Sequence, residues 1–191
     1  MDYLIWKNAT FPGLCALLSP NGVKRSWQLE RGISRAEDWA PDTFCRMNDR
    51  FPKDIELADN MSSTGLIVVS NGIKELLTEA GTSDVEFLPL TIRNHKEKVA
   101  AEDYWIINPL NVIECIDTDA SAAVFSPLKK DLITSCAQLV FTPDSIPEDC
   151  KVFRPKFMPT IILIRADIAA ELTDSGFSGL SFVVPQKFTG G

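Results

Sequence analysis

The chain has 191 residues, 45% of them hydrophobic and 24% charged, with a formal net charge of −7 at neutral pH. That length and composition support a folded chain with a sizeable core and exclude an intrinsically disordered one. The acidity is even, with 10 basic against 13 acidic residues in 1–95 and 9 against 13 in 96–191, and no basic run is longer than a pair such as Lys129-Lys130. No acidic tail and no nucleic-acid footprint is therefore expected.

Residues 2–7 read as a first strand. Met1-Asp2-Tyr3-Leu4-Ile5-Trp6 has neither the basic start nor the apolar core of a leader, and no apolar run approaches the about 18 residues of a membrane span. The five cysteines, Cys15, Cys45, Cys115, Cys136 and Cys150, are odd in number and form no C-x-x-C pair. Neither a zinc site nor a disulfide framework is expected, and the chain suits a reducing cytoplasm. Cys115 and Cys136 read as small buried hydrophobes. Residues 14–18 read as a second strand, with Ser19-Pro20-Asn21-Gly22 as the turn of a first hairpin.

Ser34-Arg35-Ala36-Glu37 has the spacing of a capping box and predicts a short helix running toward Trp39, stopped by Pro41. Trp39 sits between Glu37-Asp38 and Asp42. A tryptophan rimmed by carboxylates suits a protein interface, so Glu37, Asp38, Trp39 and Asp42 are the candidate partner-binding residues. The other reading, that Trp39 packs back on the core, is equally open.

Two stretches then align without gaps at an offset of 95, LIVVSNGIKELLTEAGTSDVEFLPL (66–90) and IILIRADIAAELTDSGFSGLSFVVP (161–185). They are identical at Ile67/Ile162, Ile73/Ile168, Leu77/Leu172, Thr78/Thr173, Gly81/Gly176, Ser83/Ser178 and Phe87/Phe182. Each predicts strand, helix, strand, with Ser70 and Asp167 as helix N-caps and Gly81 and Gly176 as left-handed C′ residues. Between and beyond them, residues 104–107, 112–116, 133–141 and 152–153 look extended, Pro143 and Pro147 mark a loop, and 189–191 reads as a frayed end. The expected fold is α+β and strand-rich, with two similar β-α-β units and few helices. One compact domain over 1–191 is expected, divisible into an N-terminal lobe (1–98) and a C-terminal lobe (99–191).

Chemistry is sparse. The one histidine, His95, lies in the polar turn Arg93-Asn94-His95-Lys96-Glu97-Lys98, without the partner and orienting group that nucleophilic catalysis needs. There is no glycine-rich phosphate loop and no G-x-S-x-G elbow. Asp117 and Asp119 in IECIDTDAS would share a strand face and could hold a divalent cation, which is the alternative reading: a small metal-dependent enzyme. The competing reading is that these aspartates accept turn amides where a strand leaves the core. Arg154 is a candidate tether to Asp117. No catalytic, cofactor-binding or metal-binding set stands out, so no cofactor is expected.

The second half carries a pattern. It runs Tyr104-Trp105-Ile106-Ile107-Asn108-Pro109, then Asp117 with Ser121, then Val152-Phe153-Arg154, and closes with Gly176-Phe177-Ser178-Gly179-Leu180-Ser181-Phe182. In order and spacing it resembles the Imm11 family, also called DUF1629, the immunity proteins of bacterial polymorphic toxin systems. Arg165 stands where the family pattern has serine. The resemblance covers about 104–182. It implies a cytoplasmic, non-enzymatic antitoxin that occludes a cognate toxin stoichiometrically. The partner it implies is a toxin delivered by contact-dependent or type VI secretion, with HNH or GHH nucleases among the candidates, and neither nucleic acid nor membrane is bound directly.

Overall fold

The structure, a computed structural model, describes residues 2–82, 84–142 and 144–188. Ser83, Pro143 and 189–191, the end read as frayed, lie outside the described residues. In chain order the strands are β1 (Tyr3–Asn8), β2 (Phe44–Arg46), β3 (Asn60–Ser63), β4 (Leu66–Ser70), β5 (Val85–Arg93), β6 (Val99–Pro109), β7 (Val112–Ile113), β8 (Val124–Phe125), β9 (Ile133–Ser135), β10 (Val152–Pro155), β11 (Ile162–Arg165) and β12 (Leu180–Val183). Helix α1 (Asn71–Glu79) follows β4, and α2 (Ala166–Asp174) follows β11. The architecture is the strand-rich α+β one expected, and 66–90 and 161–185 are both β-α-β units.

Sheet I has the order β12-β1-β11-β10-β7 and sheet II the order β2-β5-β6-β4-β3; β8 and β9 form a separate ribbon. In sheet II, β4 and β5 run parallel to each other on either side of β6, which is antiparallel to both. In sheet I, β11 and β12 flank β1 in the same way. Even the register matches, since Phe87 faces Ile107 as Phe182 faces Trp6. The repeat thus extends to a third strand. The first unit takes its middle strand from β6, which follows it, whereas the second takes its middle strand from the other end of the chain.

The central strands are apolar on both faces, and their alternation feeds two cores each. Leu66 and Val68 of β4 face one core and Ile67 and Val69 the next. Trp6 of β1 faces this second core, while Tyr3 and Ile5 face a third. The middle core holds the inner faces of both sheets, with Ile73 and Leu77 of α1 and Ile168, Ala169 and Leu172 of α2. Each of these buried Ile and Leu side chains contributes roughly 1.5–3 kcal/mol. Helix α1 ends as expected in a Schellman motif, with Gly81 at φ +73, its amide on the Thr78 carbonyl and the Thr82 amide on the Leu77 carbonyl.

Residues 58–60 hold the two units together. Asn60 is fully buried; its amide nitrogen donates to the carbonyls of Lys7 (3.0 Å) and Gly179 (2.9 Å) and to the Asn8 side chain (3.0 Å), and its oxygen accepts from the Trp6 indole (3.2 Å). The Asp59 carboxylate accepts from the Ser178 amide (2.9 Å) and hydroxyl (2.7 Å) and from the Ser70 hydroxyl (2.9 Å). Burial alone would raise the Asp59 pKa, but these donors outweigh it and hold the carboxyl below its ordinary range.

Four expectations need correction. Residues 14–18 form only single bridges, to Glu56, Met47 and Ser63, and there is no first hairpin, because both edges of β1 are taken by β11 and β12. Of 133–141 only Ile133–Ser135 is a strand; Cys136 and Leu139 are apolar because a loop carries them into the third core. Of the expected N-caps, Ser70 stands at the N-cap position of α1 but makes no side-chain cap hydrogen bond, and Asp167 is not at the N-cap of α2. The Ser70 hydroxyl serves Asp59, and Asp167 lies inside the first turn of α2, paired to Arg165, the residue at the N-cap position. Arg154 does not tether Asp117: it is buried, donates through Nη1 to the Pro159 carbonyl (2.7 Å), and its pKa is pushed down to about 10 by burial.

Gly176 and Gly179 share φ +78, but an added Cβ at Gly176 meets nothing within 4 Å, whereas at Gly179 it would lie 2.1 Å from the Asn60 carbonyl oxygen. Gly176→Ala should therefore cost about 1–2 kcal/mol, and Gly179→Ala more than about 4 kcal/mol, by chemical denaturation. Equal costs would contradict the clasp.

Candidate functional site

The acidic segment is built onto sheet II from below. Ser34 leads into a 3-10 turn, Ala36–Asp38, rather than the helix expected, and no side chain within the segment caps it. The cap comes from β5. The Glu86 carboxylate accepts the Ser34 hydroxyl (2.7 Å), the Arg35 amide (3.0 and 3.1 Å to its two oxygens), the Ala36 amide (2.9 Å) and the Asn108 side-chain amide (2.9 Å). Asn108, fully buried in β6, also donates to the Ile33 carbonyl (3.0 Å). Burial alone would raise the Glu86 pKa; the donors from Asn108, Ser34, Arg35 and Ala36 overcome it and lower the carboxyl below its ordinary value.

Trp39 is half-buried. Its ring packs against the first core and its indole nitrogen donates to the Pro89 carbonyl of β5 at 2.8 Å. The reading in which Trp39 turns back to the core thus describes its packing. Glu37, Asp38 and Asp42 are exposed, and none of them is in an ion pair among the described residues. Thr43 closes the segment by donating through its hydroxyl to the Ala40 carbonyl (2.6 Å), and the chain enters β2 beside β5. Glu37, Asp38 and Asp42 are thus exposed along one short segment, from which Trp39 turns inward.

Beside this segment lies a recess of about 580 Å³, lined by Lys24, Arg25, Gln28, Arg35, Asp38 and Trp39 among others. Reading the sequence alone missed Glu86 and the inward turn of Arg35, and placed Asn108 only within the family pattern, without its role here. A glutamate between Val85 and Phe87 in an apolar strand was the available signal, since a strand carboxylate facing a packed layer must find donors.

The other candidates fall into structural places. Asp117 accepts the Ala120 amide (2.9 Å), and its own amide donates to the Val140 carbonyl (2.9 Å). Ser121 is buried and accepts the Val140 amide (3.0 Å). This is the turn-satisfying role read as the competitor to a metal site, and Asp119 takes no part in it beyond its carbonyl, which accepts the Ala122 amide. Among the described residues no group of three or more His, Cys, Asp or Glu side chains converges as a metal site would. His95 Nδ1 lies 3.3 Å from Asp49 at the β5–β6 turn. Trp105 is half-buried beneath the Lys74 ammonium, 3.4 Å from its ring centroid. All five cysteines are buried. No helix is long and apolar enough to cross a membrane among the described residues.

A family model described as the immunity protein family Imm11 matches residues 7–187. No curated protein matches the chain.

Glu86→Ala should lower stability by about 2 kcal/mol at pH 7, because it strands amides that now share a charged acceptor. The folded pKa is lowered, so this contribution is complete above the unfolded value of about 4.3 and is lost as pH falls through the folded value. Denaturation curves of the two proteins should converge in acid. A deficit that stays constant with pH would contradict the role given to the carboxylate.

Proposed function

Because the chain belongs to the immunity protein family Imm11, a membership that implies a cognate toxin as partner, we propose that it neutralises that toxin by stoichiometric occlusion, using the surface of Glu37, Asp38, Trp39 and Asp42. The observation that carries the choice of surface is the arrangement of that segment. Three exposed, unpaired carboxylates stand on a backbone held rigid by Glu86, Asn108 and the Trp39–Pro89 hydrogen bond. A surface whose shape is set before binding loses little ordering entropy on association. Carboxylates at its rim, with a net charge of −7 behind them, speed encounter with a basic protein.

The charge pattern supports a basic toxin. A nuclease, whose own substrate is a polyanion, is the toxin class we favour, with the acidic segment standing where substrate phosphates would lie. Neutralisation takes place in the cytoplasm of a cell receiving the toxin from a neighbour, with type VI secretion as one route. The chain itself performs no chemistry in this account.

The test is co-expression with the cognate toxic domain. Growth should be rescued, and the purified proteins should form a one-to-one complex. The triple charge reversal Glu37→Lys, Asp38→Lys and Asp42→Lys should weaken binding at least about 10-fold, mainly through a slower, less salt-dependent association. Affinity unchanged within error would place the surface elsewhere, and absence of rescue by the wild-type chain would reject the immunity reading.

A further inference from the structure

The recess beside the acidic segment has the opposite sign to its rim. Its lining includes Lys24, Arg25 and Arg35. Arg35 is only 7% exposed, yet none of these three cations is in an ion pair among the described residues. The Arg35 guanidinium is held instead by neutral acceptors, donating through Nη1 to the Lys24 carbonyl (2.7 Å) and to the Gln28 side-chain oxygen (3.0 Å), and its Nε is buried without a partner. Glu86 meets Arg35 at the main-chain amide, not at the guanidinium. Arg25 adopts φ +56, a left-handed backbone that disfavours a residue with a side chain. A buried cation without a counter-ion is costly to the free protein, and the cost is recovered when an anion arrives.

The rim decides which anion fits. Asp38 lines the recess, and Glu37 and Asp42 are exposed on the same short segment, so a free phosphate or a polyanion must pass like charge to enter. A protein whose basic face meets the rim can carry one acidic side chain past it. We propose that the recess takes a single carboxylate side chain, an Asp or Glu, that protrudes from the basic face of the toxin and pairs with Arg35, flanked by Lys24 and Arg25. An arginine accepting a carboxylate in a recess walled by Trp39 has the composition of an interface hot spot. The inference rests on the proposed function and adds the chemistry of the partner's central contact.

The probe is the cognate toxic domain, inactivated at its catalytic residues, with affinity measured by calorimetry. The double variant Lys24→Glu, Arg25→Glu changes exposed side chains only. It should bind about 100-fold more weakly than wild type, and one Asp→Lys or Glu→Lys substitution on the toxin should restore a large part of the loss. Should the double variant lose thermal stability, Lys24→Glu alone carries the same comparison, since the Lys24 contact to Arg35 is through its carbonyl. Affinity within about threefold of wild type would overturn the inference while leaving the immunity reading intact. Failure of the wild-type chain to bind would overturn both. Inorganic phosphate, titrated into the free chain and followed at the Trp39 indole N–H resonance, should not saturate. Saturable phosphate binding that the variant abolishes would assign the recess to a free anion and overturn the proposal.

Discussion

The fold turns on the Asn60 side chain. Four hydrogen bonds converge on it in a fully buried position, three with Trp6, Lys7 and Asn8 of β1 and one with Gly179 on the approach to β12. Each is worth about 1 kcal/mol net, but leaving any of the partners unsatisfied costs more. The reason so much depends on one amide is topological. The centre of the second β-α-β unit is filled by residues 3–8, which pair with β11 on one side and β12 on the other. Asn60 and Asp59 grip that strand and the 178–179 turn at once. Gly179 is glycine because the Asn60 carbonyl oxygen occupies the place of its side chain.

This clasp steadies the sheets on which the acidic segment is built. Strands β4, β6, β1 and β11 are buried on both faces, so neither sheet can shift without disturbing two cores. Sheet II then holds the 33–42 segment through β5 and β6, by Glu86, Asn108 and the Pro89 carbonyl. Asp59 and Glu86 share a physical logic. Each is a carboxylate whose pKa burial alone would raise and that converging donors hold below its ordinary value.

What was legible in the sequence was local. The repeat could be read because strand, helix and left-handed glycine are specified within about twenty-five residues, and Ile73, Leu77, Ile168 and Leu172 fall where helical spacing places a buried stripe. Pairings between distant segments were not legible. Nothing in residues 2–7 says that both their edges will be taken by strands more than 150 positions away, and an apolar loop such as 136–141 carries the same composition as a strand. The acidic surface was visible as a run of charge around Trp39. Its support was not, because Ser34-x-x-Glu37 mimics a local capping box while the actual cap, Glu86, lies in another strand. The basic recess was hidden for the same reason: Lys24, Arg25 and Arg35 gather only when the chain folds back on itself.

The central claim is that a rigid acidic segment and the basic recess beside it form the face that meets the toxin. Hydrogen–deuterium exchange of the chain, alone and bound to its cognate toxin, tests it most directly. The account predicts that protection on binding concentrates in residues 22–43, while the β8–β9 ribbon, whose tip carries the 93% exposed Leu128, is unchanged. Protection centred on that ribbon, with 22–43 exchanging as in the free chain, would contradict it.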